Sequence, residues 1–338
     1  MIKLNNTFAI GCLVQWYEIE IFEEYIESVF RAIDKVDNKE NVKVDICFNI
    51  AQNLEKIDEE QIKLDDIFQR FIEIRRELTR RHISHNINFY PSTIENASNK
   101  SLKPYTIADY RRWFNDYYCE KVDVLMWGET DSLIPAQTFQ ILDNLHTGVK
   151  DNTPKYVSFF GICKMWDESW KQLEHPDFTN KPFIENDYDN FWSVKYTMSI
   201  DEMNEFNDKV TDLDVRVLDQ FKFNGCGLVI SSDVIKSGVN IPKSTFFVHE
   251  DTAFQNLLIK IFGNSIPQYV IKNVLLVHNR NHPKKRMYID GERKDGTMNE
   301  KRRSNDWYVK ANKMCEHNAY NMFNQSKVFT WEDVFDES

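Results

Sequence analysis

Apolar residues follow two rhythms along this chain: short unbroken runs, and longer stretches spaced three or four apart. Phe8 to Val14, FAIGCLV, is an unbroken run and predicts a buried strand. Between Glu20 and Ile33 the apolar positions are Ile21, Tyr25, Ile26, Val29, Phe30 and Ile33, which is helical spacing. Val42 to Ile50 predicts a second strand. A strand, a helix and a strand at the first opportunity favour a parallel sheet. Leu54 to Arg81 carries Leu64, Ile67, Phe68, Phe71, Ile72, Ile74 and Leu78, which suits a half-buried helix with a solvated charged face. Ile87 to Ser92 predicts a third strand, and Thr106 to Lys121 a helix with Thr106 as N-cap. That helix leads into the apolar run VDVLMWG, Val122 to Gly128. Later strands are expected at Thr153 to Trp166, at Gly225 to Ser231, and from Tyr269 into a basic loop ending at Arg286. Lys171 to Asn190 reads as loop, and Phe246 to Gly263, after the strand at Gly225 to Ser231, as a turn with two acids and an amphipathic helix.

Composition narrows the picture. A chain of 338 residues with 10 Gly and 9 Pro has material for one large or two small domains and little for long linkers. A net charge of −11 excludes a surface that binds nucleic acid throughout. One segment runs against it: Lys272 to Lys313 holds twelve Lys and Arg against five acids. A solvated basic face explains that, and so does a polyanionic acceptor such as nucleic acid. The N-terminal stretch lacks the basic start and long apolar centre of a secretion signal, and no run approaches the ~20 apolar residues of a membrane span, so a cytoplasmic protein is expected. The six cysteines form no CxxC pair; they read as buried reduced thiols, and their spacing does not predict a zinc site.

The candidate chemistry sits where apolar runs end. Glu129 and Asp131 follow VDVLMWG, Glu250 and Asp251 follow FFVH, and His278 follows LLV. In open α/β sheets ligands bind at the carboxyl ends of strands, so these residues can meet in space. Acids at i and i+2 on a turning chain offer hard oxygen donors to Mg²⁺ or Mn²⁺; ordinary acidic turn chemistry also explains them, and the triplet alone does not decide for a metal. Glu250 and Asp251 also suit the first turn of a helix, where the dipole favours acids. His278 is either a further ligand or a hydrogen-bonded surface histidine.

In order and spacing, RRWFNDYYCEKVDVLMWGETDSLIP, NGCGLVISSDVIKSGVNIP, FFVHED and LLVHNRNH resemble the GT-A glycosyltransferases, across roughly Phe8 to Arg286. The resemblance implies a GT-A-like, Rossmann-like α/β fold: a mostly parallel central sheet flanked by helices, residues 1–290, with a basic and helical extension, 291–338, packed on or near the active site. It implies transfer of a sugar from a nucleotide-diphosphate sugar, a UDP-sugar, to an acceptor hydroxyl with inversion. Glu129, Asp131 and His278 would hold Mn²⁺ or Mg²⁺, and Asp251 or Glu250 would be the base. Gln15 and Tyr17 would contact the nucleotide base, Arg111 or Arg112 would reach the donor, and Lys284 and Arg286 would close over the diphosphate. The acceptor would be a glycan or a nucleic acid; with its basic edge the chain is similar in outline to virus enzymes that glycosylate modified bases in their own DNA. Two positions depart from the pattern. Glu129 stands where the family has Asp, and CFNIAQN lacks the family's acid after the second strand. A nucleotidyltransferase on a related sheet would also use paired acids, but GCLVQWYE is not its Gly-rich basic phosphate loop. A non-catalytic nucleotide-sugar binding protein is the third reading.

Overall fold

The computed structural model describes residues 1–15, 18, 21–50, 64–92, 104–163, 170–181, 198–279 and 306–336. Four strands build the first half of the sheet. β1 (Phe8–Gln15) pairs in parallel with β2 (Val42–Asn49) on one side and β4 (Val124–Trp127) on the other, and β3 (Ser84–Tyr90) adds in parallel to β2. Helices α1 (Phe22–Asp34), α2 (Leu64–Arg80) and α3 (Ile107–Tyr118) make the crossovers. Both faces of β1 are buried, which is why it reads as an unbroken apolar run. Phe8, Ile10, Cys12 and Val14 pack with α1, while Ala9 and Leu13 pack with Tyr110, Phe114 and Tyr118 of α3.

The second half is mixed. β8 (Val229–Ser231) runs antiparallel between β4 and β6 (Val157–Gly161). β9 (Gln268–Leu275) is parallel to β6, and β7 (Val215–Val217) closes the edge antiparallel to β9. The strand order is β3-β2-β1-β4-β8-β6-β9-β7, mostly parallel, with helices on both faces. α4 (Thr138–Val149) covers the α1 face. α7 (Ser232–Lys236) and α8 (Glu250–Phe262) cover the α3 face. Apart from this sheet, β5 (Ser132–Leu133) and β10 (Val277–His278) form a short antiparallel ribbon. α9 (Asp306–Asn321) packs on α8, and α10 (Trp331–Phe335) brings Trp331 against Phe246 and Phe247.

Several elements differ from expectation. β3 starts at Ser84 rather than Ile87. It is an edge strand, so polar Ser84, His85 and Asn86 can pair with Lys43, Val44 and Asp45 without a buried face of their own. The helix expected from Leu54 begins at Leu64, with residues 51–63 outside the described part. Within the stretch read as loop, Pro176–Thr179 forms a single helical turn, α5. The apolar pattern does not announce α4, α6 (Ile200–Asn207), β5 or β7. Two- and three-residue strands are too short to show a period. The expected late strand is β9 and β10, broken where the Leu276 amide donates to the Gly161 carbonyl. Among the described residues no helix is long and apolar enough to cross a membrane.

Candidate active site

The site begins where β4 ends. Gly128 donates its amide to the Gly11 carbonyl at 2.7 Å and passes so close to Tyr25 that a Cβ there would lie 2.0 Å from the phenolic oxygen. The chain then turns, the Ser132 amide donating to the Glu129 carbonyl at 3.0 Å, and enters β5. Pairing of β5 with β10 sets Ser132 opposite His278, and the Asn279 amide donates to the Asp131 carbonyl at 2.7 Å. This two-residue ribbon brings positions 131 and 278 together. His278 Nε2 lies 3.2 Å from Asp131 Oδ2 and 3.5 Å from Glu129 Oε2. Asp131 is buried, whereas Glu129 keeps about a quarter of its side chain exposed (24%). Burial works against a charged imidazole, but the neighbouring Cys226 and Asp131 outweigh it and hold His278 well above its ordinary value.

Arg111 joins this turn to the start of α8. Arg111 is 2% exposed, and its guanidinium donates from Nη1 to Glu250 Oε1 at 2.5 Å and from Nη2 to Glu129 Oε1 at 2.7 Å and lies 4.7 Å over the Trp127 ring. Burial opposes its charge, yet Glu129 and Glu250 raise it further above the ordinary arginine value. Burial also pushes the Glu250 carboxyl up, to about 7, against the pull of Arg111 and with the help of Asp251. Asp251 Oδ1 accepts from the Thr252 amide at 2.7 Å. His249, the N-cap of α8, is left-handed at φ 62, a conformation that costs a non-glycine residue about 1–3 kcal/mol. Gly225 is wedged between these groups. A Cβ there would lie 2.7 Å from Arg111 Nη1 and 3.2 Å from the Asp251 Cβ, so no larger residue fits without moving the ion pair.

Next to Gly225, Cys226 is buried with its sulfur 2.6 Å from Ser132 Oγ, and burial pushes its thiol up. Donor atoms of Glu129, Cys226 and His278 all lie within 4.8 Å of one another. The even scatter of cysteines hid this, because sequence spacing reports a metal site only when ligands share a local motif.

The predicted residues separate into groups. Glu129, Asp131, His278, Glu250 and Asp251 come together around Arg111. Gln15 lies at the end of β1, where its Oε1 accepts from Asn49 Nδ2 at 2.9 Å. Arg112 turns away from the acids: it donates to the carbonyls of Ile241, Pro242 and Thr245 at 2.9–3.0 Å and to Asp109. The reason is helical phase. Arg111 shares the buried face of α3 with Phe114, Asn115 and Tyr118, and Arg112 falls about 100° away. Tyr17, Lys284 and Arg286 lie outside the described residues, as does most of the basic segment.

No family model matches this chain, and neither does any curated protein. Solved structures do. S. aureus TarS, residues 1–349, is 10% identical, with 97% of this chain and 77% of that chain covered and a TM-score of 0.43. The same fragment in complex with UDP-GlcNAc is 9% identical, covering 94% and 74%, at 0.44. Glucosyl-3-phosphoglycerate synthase from Mycobacterium tuberculosis in complex with Mg²⁺ and UDP is 11% identical, covering 81% and 72%, at 0.39. Identities this low say nothing of chemistry.

Proposed function

We propose that the protein is a metal-dependent glycosyltransferase that moves a sugar from a nucleotide-diphosphate sugar, a UDP-sugar, to an acceptor hydroxyl with inversion. The observation that carries this reading is a gathering of acids: among the described residues four carboxyl groups, Glu129, Asp131, Glu250 and Asp251, come together beside the Arg111 guanidinium and the His278 imidazole. Carboxylates gathered this closely repel one another, and a divalent cation bound among them offsets that repulsion. The carboxylate oxygens of Glu129 and Asp131 suit Mn²⁺ or Mg²⁺ and the His278 imidazole favours Mn²⁺; a bound ion would neutralise a diphosphate leaving group. Arg111 fixes Glu129 and Glu250 relative to each other, so the strand end and the helix start form one rigid wall. Asp251 engages the Thr252 amide through Oδ1, and Oδ2 takes the acceptor's proton as its oxygen bonds to the anomeric carbon. The bond to the diphosphate breaks and its electron pair leaves with the phosphate oxygen. Glu250 positions Arg111 and shapes the charge felt by Asp251. The acceptor hydroxyl belongs to a glycan or, as the basic segment from Lys272 to Lys313 suggests, to a modified base in nucleic acid.

The test is donor binding and turnover by the full chain over a panel of nucleotide-sugars with Mn²⁺, Mg²⁺ or EDTA, with glycan and duplex DNA acceptors added. Metal-dependent release of the nucleotide, reduced at least about a hundredfold in Asp131→Ala, is the expected result. If no nucleotide-sugar binds with metal present, the reading is wrong.

A further inference from the structure

We propose that Cys226 is a ligand of this metal site, and that the site therefore takes a borderline-soft cation of the zinc class in preference to Mg²⁺. The inference rests on the metal-dependent reading above and deepens it. Three elements distant in sequence deliver three kinds of donor to one place: a carboxylate after β4, a thiol before β8 and an imidazole on β10. They lie within 4.8 Å of one another, against the about 3.3–3.8 Å between donors sharing one tetrahedral ion with bonds of about 2.0–2.3 Å, so side-chain movements of about 1 Å bring them to one ion. Asp131, 3.2 Å from the same imidazole, adds a fourth side chain. Sulfur, nitrogen and carboxylate oxygen together are a donor set of the zinc type, whereas Mg²⁺ favours oxygen alone and keeps its water.

The surroundings hold the sulfur in place. A Cβ at Gly225 would meet Arg111 and Asp251, and one at Gly227 would lie 2.5 Å from Leu276 Cδ1, so the backbone carrying Cys226 is closely packed on both sides. The Cys226 amide donates to Asn224 Oδ1 at 3.1 Å. Ser132 Oγ, 2.6 Å from the sulfur, is placed to donate to a thiolate and to lower the cost of the negative charge that a ligating cysteine carries. A cysteine buried only as a small apolar residue would not need that hydroxyl or this approach to two other donors.

Cobalt is the probe, because a Co²⁺–thiolate bond has a charge-transfer absorption in the near ultraviolet that oxygen and nitrogen ligands do not give. Co²⁺ is titrated into the metal-free full chain, and into Cys226→Ser and Cys226→Asp, with calorimetry alongside. The expected result is a charge-transfer band in the parent protein and its loss in both variants. Cys226→Asp, which retains a donor of similar reach, still binds metal and swings toward Mn²⁺, and it serves if Cys226→Ser does not fold. Zn²⁺ displaces Co²⁺ from the parent at near-equal concentration, while Mg²⁺ requires at least about a hundredfold excess. Co²⁺ binding without the band overturns the thiolate ligand and leaves the metal-dependent reading standing. Absence of binding by Co²⁺, Zn²⁺, Mn²⁺ and Mg²⁺ alike overturns both.

Discussion

A single buried acid, Asp45, and a cluster of acids lie on either side of α3, and they are finished differently. Asp45, in the middle of β2, is 1% exposed and meets three neutral donors: Tyr110 at 2.8 Å, Tyr118 at 2.9 Å and Asn86 at 2.6 Å. Burial raises its carboxyl and those hydrogen bonds pull it back. Its local wants are met by the protein. Glu129, Asp131 and Glu250 are set instead beside charged groups, Arg111 and His278, and Glu129 opens to solvent. The difference teaches how to tell a structural buried acid from one kept for a ligand. A structural acid is closed by neutral donors, whereas acids set beside charged groups and open to solvent are the ones to test for a ligand.

The comparison breaks most visibly through turnover. Asp251→Asn removes the proposed base and is expected to lower turnover about 10²–10⁴-fold, while the melting temperature holds or rises because one of the crowded charges has gone. Asp45→Asn does the reverse, lowering stability and leaving turnover within about twofold. Equal loss of turnover in the two variants would erase the distinction between the groups. Next in size is Arg111→Met. It strands Glu129 and Glu250 without their shared cation and costs about 3–5 kcal/mol in urea unfolding. A smaller loss would mean that the two carboxyls shed their charge by protonation. Gly225→Ala follows, at about 1–3 kcal/mol, since the added methyl must push aside Arg111 Nη1.

The smallest effect is a pH slope. Folded Glu250 retains its proton up to about 7, while in the unfolded chain it is released near 4.5. Between those values the folded state binds more protons, so this group's contribution to stability falls as pH rises, and it is flat above the window. Glu250→Gln removes that slope. Urea unfolding of both proteins at pH 5 and pH 7 measures it, and identical slopes would show that Arg111 keeps Glu250 ionised throughout.

Elements with long periodic patterns are legible in the amino-acid sequence itself: β1, α1, β2, α3 and α8 lie within a few residues of expectation, and Thr106 caps α3 in a capping box with Asp109. Apolar runs and 3.6-residue spacing record which faces are buried, and burial is what sequence patterns encode most directly. The acids of the site are legible too, because each sits where an apolar run stops. Tertiary structure alone decided how they meet. A two-residue ribbon sets His278 beside Asp131, helical phase selects Arg111 over Arg112, and a glycine wedge admits Cys226 to the cluster. Each of these is a contact between segments far apart in the chain. Pairing, phase and close approach are properties of two surfaces at once, and a one-dimensional pattern carries only one of them.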